Sequence, residues 1–411
     1  MLLPMPGYGA RYWAERTAAN RRRSFPKFKG AHTADVVVIG GGLTGCMAAS
    51  VLAGGGLKVV LLEADRLAEG STAGSLGAIV PQPDSSFRDA ERLAGIRAAR
   101  IAFKETSRSA KELVAALRKL SIKTDIAPAP FVLNAPDAEA AIALKKEQSA
   151  RRAAGADAAW LSAAVARPEI GTDTGGAIRL KDGGLFDPVR ATFGFAAAAS
   201  GKNAEIFEGS VVRRTRFTRK YADVFLEGGT IRTTGIFVAT GEPGSLFGQL
   251  QRHVRRAQGF AVVTEPLSAA MAREVGRRSA VQTEWSAAPH FLRWLPDGRA
   301  MFMGGLSAPV PDRQMPKALV GRTAQLMYEL SLQYPAISGL PAHWGWSVPV
   351  VTTPDGLPWI GPHRNFPFHF FALAFGWHGD AMAWLAARAA LRHFTGEGRR
   401  EDESLSFARY L

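Results

Sequence analysis

The chain has 411 residues, 47% of them hydrophobic, and a mean hydropathy of -0.03, the profile of a soluble globular protein of two or three domains, or of two interleaved ones. No apolar run reaches the roughly 18 residues that a membrane span needs, and the single cysteine, Cys46, excludes intrachain disulfides and a cysteine-based metal site, so no metal centre is expected. The net charge is +15, but its basic clusters (21–23, 213–220 and 252–256) are dispersed and no nucleic-acid motif accompanies them, so they read as a solvated surface and nucleic acid is not an expected partner.

Residues 1–33 are polar and basic. They read as an extended leader on the surface, and the triple arginine is followed by Ser-Phe-Pro-Lys, not by the apolar run of a twin-arginine signal. Residues 36–39 (VVVI) form a β-branched run, the pattern of a strand buried on both faces. Gly40, Gly42 and Gly45 then supply G-x-G-x-x-G, with Leu43 and Thr44 inside it, and 43–52 reads as a small-residue helix. Three glycines end it, and 58–62 is a second strand closed by Glu63, 18 residues after Gly45. In that context each part has a task. Gly40 makes the tight turn, Gly42 admits a pyrophosphate to the backbone, Gly45 lets helix pack on strand, and the helix N-terminus faces the phosphate charge. Glu63 can accept hydrogen bonds from ribose hydroxyls and would repel a 2′-phosphate.

The loop 66–83, Gly/Ser/Ala-rich, is either a flexible connection or one that approaches a phosphate or a ring with its backbone. Residues 89–120 carry helical stripes of Leu93, Ile96, Leu113, Leu117 and Leu120, read as core. A strand interrupted by prolines follows at 122–134, a helix at 137–154, another starting at 162–165, and a hairpin at 175–185 around Asp182-Gly183-Gly184. Asp187-Pro188 precedes a helix at 190–199. Residues 204–214, 222–226 and 230–233 read as antiparallel strands, and 234–241 as a buried strand running into a glycine turn. Then come a strand at 258–265, a helix at 269–275, paired strands at 291–294 and 300–303, a helix at 318–332, a Pro/Gly loop at 353–361, an aromatic strand at 368–375 and a last helix at 380–394.

Eight motifs along this order carry a family resemblance: GGGLTG at 40–45 with Glu63, EGSTAGS at 69–75, GGLFDPVR at 183–190, VATG at 238–241, TEPL at 264–267, LRWLPDGRAMFMGG at 292–305, TPDGLPWIG at 353–361 and FALAFGWHGDAMA at 371–383. From Tyr12 to Gly398 the chain resembles the FAD-dependent D-amino-acid-oxidase-like (DAO) superfamily, nearest its glycine, sarcosine and γ-glutamylputrescine oxidase type. The resemblance implies an α/β (α+β overall) fold, in which a Rossmann-type FAD-binding domain (34–85, 181–249 and 346–400) interleaves with an antiparallel-sheet substrate domain (86–180 and 250–345), flanked by the leader 1–33 and a tail 401–411.

It also implies the cofactor, FAD, and its site. Besides the glycine loop and Glu63 with Ala64, the residues Ser71, Thr72, Val212, Thr240, Gly241, Gly361, Gly376, Trp377, His378, Gly379 and Asp380 would line it. The flavin would be non-covalent, since Cys46 lies in the first helix and 66–83 has no histidine. The implied chemistry is oxidation of a C–N bond of a small amine or amino acid, by hydride transfer to flavin N5, without a dedicated base. His378 and Arg293 are the candidate catalytic residues. Arg293, with His290 before it, sits where a strand can face the substrate, so Arg293 can bind a carboxylate or lie on a sheet edge. The arginine that amino-acid oxidases of this type place before TPDG is replaced here by Val348, Pro349, Val350 and Val351, while Trp346 matches the γ-glutamylputrescine branch. Asp380 is a helix cap or faces the flavin pyrimidine. A cytoplasmic enzyme, or one peripheral at a membrane surface, is expected, with its electron acceptor and oligomeric state open. Two alternatives are a flavin-dependent RNA-modifying oxidoreductase and a non-catalytic FAD-binding assembly protein.

Overall fold

The computed structural model describes residues 7–17 and 22–410. Residues 1–6 and 18–21 of the leader, Arg21 of the basic cluster among them, and residue 411 of the tail lie outside the described part.

The β-branched run grows into the strand Gly30–Ile39, longer at its N-terminal end than its buried core because those early residues pair with 229–233. Around it a sheet forms in the order Glu205–Phe207, Val59–Leu62, Gly30–Ile39, Gly229–Gly241, all parallel. The long strand Gly229–Gly241 then serves two neighbours. Its first half pairs antiparallel with Ala222–Leu226, and that with Val212–Phe217; its second half pairs parallel with Phe366–Leu373, which pairs antiparallel with Trp359–His363. The helices Leu43–Gly54, Phe87–Lys119, Pro188–Ser200 and Asp380–Phe394 cover one face, against Val36, Val38, Val59, Leu61, Phe237 and Phe370. The other face, with Val37, Ile39, Val60, Ile236 and Val238, carries Phe247, Trp359 and Phe407. Successive residues of each strand thus enter different cores, as the pleat requires.

A second, nine-stranded sheet has the order Gly7–Tyr8, Ala342–Thr352, Arg255–Thr264, Ala300–Ser307, Phe291–Trp294, Val281–Glu284, Phe131–Asn134, Ala177–Leu180, Ala159–Leu161. It is antiparallel except at two pairs, Gly7–Tyr8 with Ala342–Thr352 and Phe131–Asn134 with Val281–Glu284. One face meets the Rossmann part through Trp13, Ala73, Phe291, Met303, Trp346 and Val348, and the other buries Phe260, Val262 and Phe302 under the helix Met315–Gln333. The fold class is therefore mixed α/β with the two sheets interleaved along the chain. No helix among the described residues is long and apolar enough to cross a membrane.

Four readings of the sequence are corrected. The leader is not merely a surface segment: Gly7–Tyr8 joins the large sheet, Tyr12 and Trp13 are 2% exposed, and Trp13 donates its indole N–H to the Ser75 carbonyl. Leu93, Ile96 and Leu120 are exposed, while Leu113 and Leu117 are buried. Gly95, at φ 85° and ψ 157°, kinks the helix Phe87–Lys119 and resets the phase of the stripe, and Leu120 falls at its end. Residues 175–185 are no hairpin, because Ala177–Leu180 lies in the large sheet and Gly184–Leu185 pairs with Ala78–Ile79 and Ala127–Pro128. Residues 204–214 form two strands, the first parallel to Val59–Leu62.

Candidate active site

A cleft of about 660 Å³ runs along the C-terminal ends of the parallel strands. Such an end, where strand order changes direction, is where open α/β sheets bind ligands. Gly40, Gly42, Leu43, Thr44, Glu63, Ala64, Ser71, Thr72, Val212, Thr240, Gly241 and Gly376 all line it. The helix Leu43–Gly54 begins at its wall with no side-chain cap. Of the first-turn donors, the Leu43 N–H meets Thr72 Oγ1 at 2.9 Å. An uncapped helix start is a ready anion site, since its free N–H groups and dipole both favour negative charge.

Gly45 lies behind the wall. A Cβ there would stand 1.8 Å from the Gly40 carbonyl oxygen, so only glycine lets the helix lie against the turn. Glu63 ends its strand with one carboxylate oxygen on the Gly41 N–H and the other 2.9 Å from the Asp65 N–H. Burial pushes this carboxyl above its ordinary range, against the pull of those two N–H groups. The uncapped N–H groups, the ribose-level carboxylate and the volume together fit a dinucleotide such as FAD.

A second cavity, of about 390 Å³, lies on the face of the large sheet turned to the Rossmann part. The two share the end of Ala342–Thr352, with Pro349 and Val351 on the cleft and Val350 and Thr352 on the cavity, and the turn after Phe375, with Gly376 on the cleft and Trp377 and His378 on the cavity. Phe131, Phe291, Trp285 and Trp377 make the cavity aromatic; Asp84, Asp89 and Glu284 bring carboxylates. Asp84 Oδ1 lies 3.3 Å from His378 Nε2, and its Oδ2 accepts the Trp377 N–H at 3.2 Å. Burial pushes the Asp84 carboxyl up, with His378 and the Trp377 N–H pulling it down. His378 is 6% exposed, its ring packs against Phe131 and Phe291, and its Nδ1 has no hydrogen-bond partner among the described residues. Gly376, at φ 73°, is a position where a Cβ would meet an Asp84 carboxylate oxygen at 2.0 Å, so glycine there makes room for the acid.

Other predicted site residues fall elsewhere. Gly361 is in the strand Trp359–His363 with its open side against Ser406 of the C-terminal segment, away from the cleft. Gly379 packs on Phe375. Arg293 is not on a sheet edge, and it lines neither the cleft nor the cavity. It is 3% exposed, its Nη1 donates to the carbonyls of Leu76, Gly77 and Phe186, and its guanidinium stacks 4.7 Å from the Trp13 ring. Burial pulls its pKa down to about 10. It ties the loop after Ser71–Gly74 to the large sheet. His290 turns away, to Glu284 and Glu329 and onto Phe302. Asp380 opens the last helix but makes no capping bond; it lies half-buried beside Arg293, and desolvation pushes its carboxyl up to about 7. Trp346 is buried with its indole N–H 3.2 Å from the Gly74 carbonyl.

The sequence reading missed Asp65, Arg66, Ser210 and 242–246 on the cleft, and Asp84, Glu284 and Trp285 in the cavity. The Glu-Pro-Gly-Ser run after Gly241 is a turn signal that points to the first group. The cavity residues carry no local signal, because distant segments bring them together.

Comparisons with known proteins agree with this architecture. The family described as FAD dependent oxidoreductase (DAO) matches residues 35–392. The γ-glutamylputrescine oxidoreductase of Escherichia coli is 23% identical over 99% of this chain and 93% of its own. Among solved structures, glycine oxidase from Geobacillus kaustophilus superposes with a TM-score of 0.74 at 18% identity, covering 90% of this chain and 96% of its own. L-proline dehydrogenase from P. horikoshii superposes with a TM-score of 0.76 at 20% identity, covering 93% and 98%.

Proposed function

The chain belongs to the FAD dependent oxidoreductase (DAO) family, an enzyme family whose cofactor is FAD, and from that premise we propose that it oxidises the C–N bond of a small amine or amino acid held in the 390 Å³ cavity. The names of the similar proteins point the same way: γ-glutamylputrescine, glycine and L-proline each offer a C–H bond beside an amine nitrogen. The observation that carries the reading is the pair of cavities divided by one turn and one strand end, a cofactor-sized cleft on one side and a substrate-sized pocket on the other.

When bound non-covalently in the cleft, FAD would supply the acceptor for the hydride, one proton with two electrons, that leaves the substrate carbon. The chain's residues do the rest. The start of Leu43–Gly54 and Thr72 would take the pyrophosphate charge, and Glu63 would take the ribose hydroxyls. Phe131, Phe291 and Trp377 keep water from the cavity, which strengthens electrostatic contacts there. The Asp84–His378 pair can accept and hold the proton of an entering ammonium, so that the nitrogen lone pair is free when the C–H bond breaks. Arg293 acts at one remove, by fixing the loop under the cleft.

The test is the visible absorption spectrum of the purified protein before and after anaerobic addition of an amine and amino-acid panel. Flavin bands that one member bleaches are the expected result. Bands that no member bleaches refute the oxidation, and bands absent even after added FAD refute the cleft's role.

A further inference from the structure

We propose that the cavity beside Trp377 and His378 selects a substrate that enters as an alkylammonium cation without an adjacent carboxylate, and that Glu284 and Asp84 are the residues that select it. The inference rests on the reading of this cavity as the substrate site and adds its charge preference.

The charges on the cavity wall are predominantly negative. Arg151 is the only lysine or arginine among the lining residues, and its charge is already engaged. It is 1% exposed; its Nε lies 2.7 Å from Glu147 Oε1, and its Nη1 lies 2.7 Å from Gln82 Oε1. Glu147 is fully buried and also accepts the N–H groups of Phe87 and Arg88. A carboxylate entering the cavity would have to compete with Glu147 and Gln82 for Arg151. Arg293, the other candidate, does not line the cavity.

The acids are placed differently. Glu284 receives both bonds from His290 on one oxygen, Oε1, from the backbone N–H at 2.9 Å and from ring Nδ1 at 2.5 Å. Its Oε2 takes no hydrogen bond from any described residue. The Glu284 and Asp84 side chains are only 15% and 14% exposed, so what they meet is the cavity, not bulk water. His290 does not cancel the charge, because it lies between two glutamates, Glu284 and Glu329. Burial lowers the His290 affinity for a proton, the two carboxylates raise it more, and with the proton on His290 the three groups still sum to minus one. On that side the lining also holds His378, facing Asp84, and a third acid, Asp89, whose carboxylate lies 2.9 Å from the exposed Arg92.

A net-negative wall with aromatic rings is the chemistry of ammonium recognition. The carboxylates take the N–H groups, and Trp285 and Trp377 offer ring faces to the cation. An α-amino acid would bring its carboxylate into the same wall, where like charges a few ångströms apart repel.

Two measurements test this. Holoprotein is titrated anaerobically with butylamine and 1,4-diaminobutane, and in parallel with glycine, N-methylglycine, alanine and proline. The amines are expected to bleach the flavin at concentrations roughly 100-fold lower than the amino acids. Glu284→Gln is expected to raise the half-saturating amine concentration about 10- to 100-fold with little change in the limiting rate, and Glu284→Asp to recover part of the loss. Amino acids that match or beat the amines overturn the charge preference and leave the oxidation reading standing. If nothing bleaches, the oxidation reading fails, and the preference is decided by calorimetric titration of butylammonium against butyrate. Binding of the cation alone supports it; binding of butyrate, or of neither, overturns it.

Discussion

Replacing Asp380 by asparagine is expected to stabilise the folded protein above neutral pH and to leave it unchanged in acid. Asp380 opens the helix Asp380–Phe394 without capping it, and its carboxyl is pushed up to about 7 by burial, against the pull of Arg293. In the unfolded chain a carboxyl of this type titrates near 3.9. Between those values the folded protein holds a proton that the unfolded chain has released. Stability therefore falls with rising pH by about 1.4 kcal/mol per unit across the window, and the loss is complete above about pH 7. Three units give an upper limit of about 4 kcal/mol. The helix N-terminus favours the anion by up to about 1 kcal/mol, and local relaxation takes a further share, so about 2 kcal/mol is the expected net difference. The assay is urea unfolding of the wild type and Asp380→Asn from about pH 5 to about pH 8.5, with FAD in fixed excess so that ligand linkage is common to both. The two curves should already differ by about a third of the full amount near pH 5, diverge further up to about pH 7 and run parallel above it. A difference that does not change with pH, or a wild type that gains on the variant as pH rises, refutes the placement of Asp380 in a poorly solvated site.

Gly45→Val puts a side chain 1.8 Å from the Gly40 carbonyl at its first atom, so FAD affinity of refolded protein should drop at least about tenfold, read by flavin fluorescence titration. Glu63→Gln removes one charged acceptor from the cleft and should weaken FAD about tenfold in the same titration. Glu147→Gln leaves the buried Arg151 charge without its partner; urea unfolding should show a loss of about 3–5 kcal/mol, and a cavity with Arg151 released should tolerate carboxylate ligands better than the wild type.

How much of this the sequence carries depends on the range of the interaction. The glycine turn, the uncapped helix and Glu63 were legible because each satisfies a backbone requirement within about 30 residues of chain. The last helix was legible for the same reason, from its glycine-rich entry and its apolar spacing. Arg293 was not. Nothing on its own strand announces that it donates to carbonyls at residues 76, 77 and 186, far along the chain. The supposed hairpin at 175–185 failed in the same way. Asp182-Gly183-Gly184 reads as a turn, yet Gly183 is needed because the carbonyls of Ala129 and Ile79 crowd its side-chain position. The stripe of Leu93 and Ile96 failed locally, since one glycine at positive φ ends the phase on which a stripe depends.

The two cavities owe their separation to the alternation of a single strand. Along the end of Ala342–Thr352, Pro349 and Val351 face the cleft while Val350 and Thr352 face the cavity. A shift of one residue would exchange the two sets, because side chains on a strand alternate with a period of two. That register is held by pairing with Arg255–Thr264 from Arg255 opposite Thr352 to Thr264 opposite Ala342, with only one irregularity, near Val263. Pro349 fits this arrangement, since it lies on the strand end where the cleft, not a third strand, takes the other side. Below it, Gly259 leaves room for the Trp377 ring, which would stand 2.1 Å from a Cβ there. The paired strands therefore set where the valines point and also where Trp377 sits. Specificity at this site is encoded first in strand register, and only then in the identity of the carboxylates on the wall.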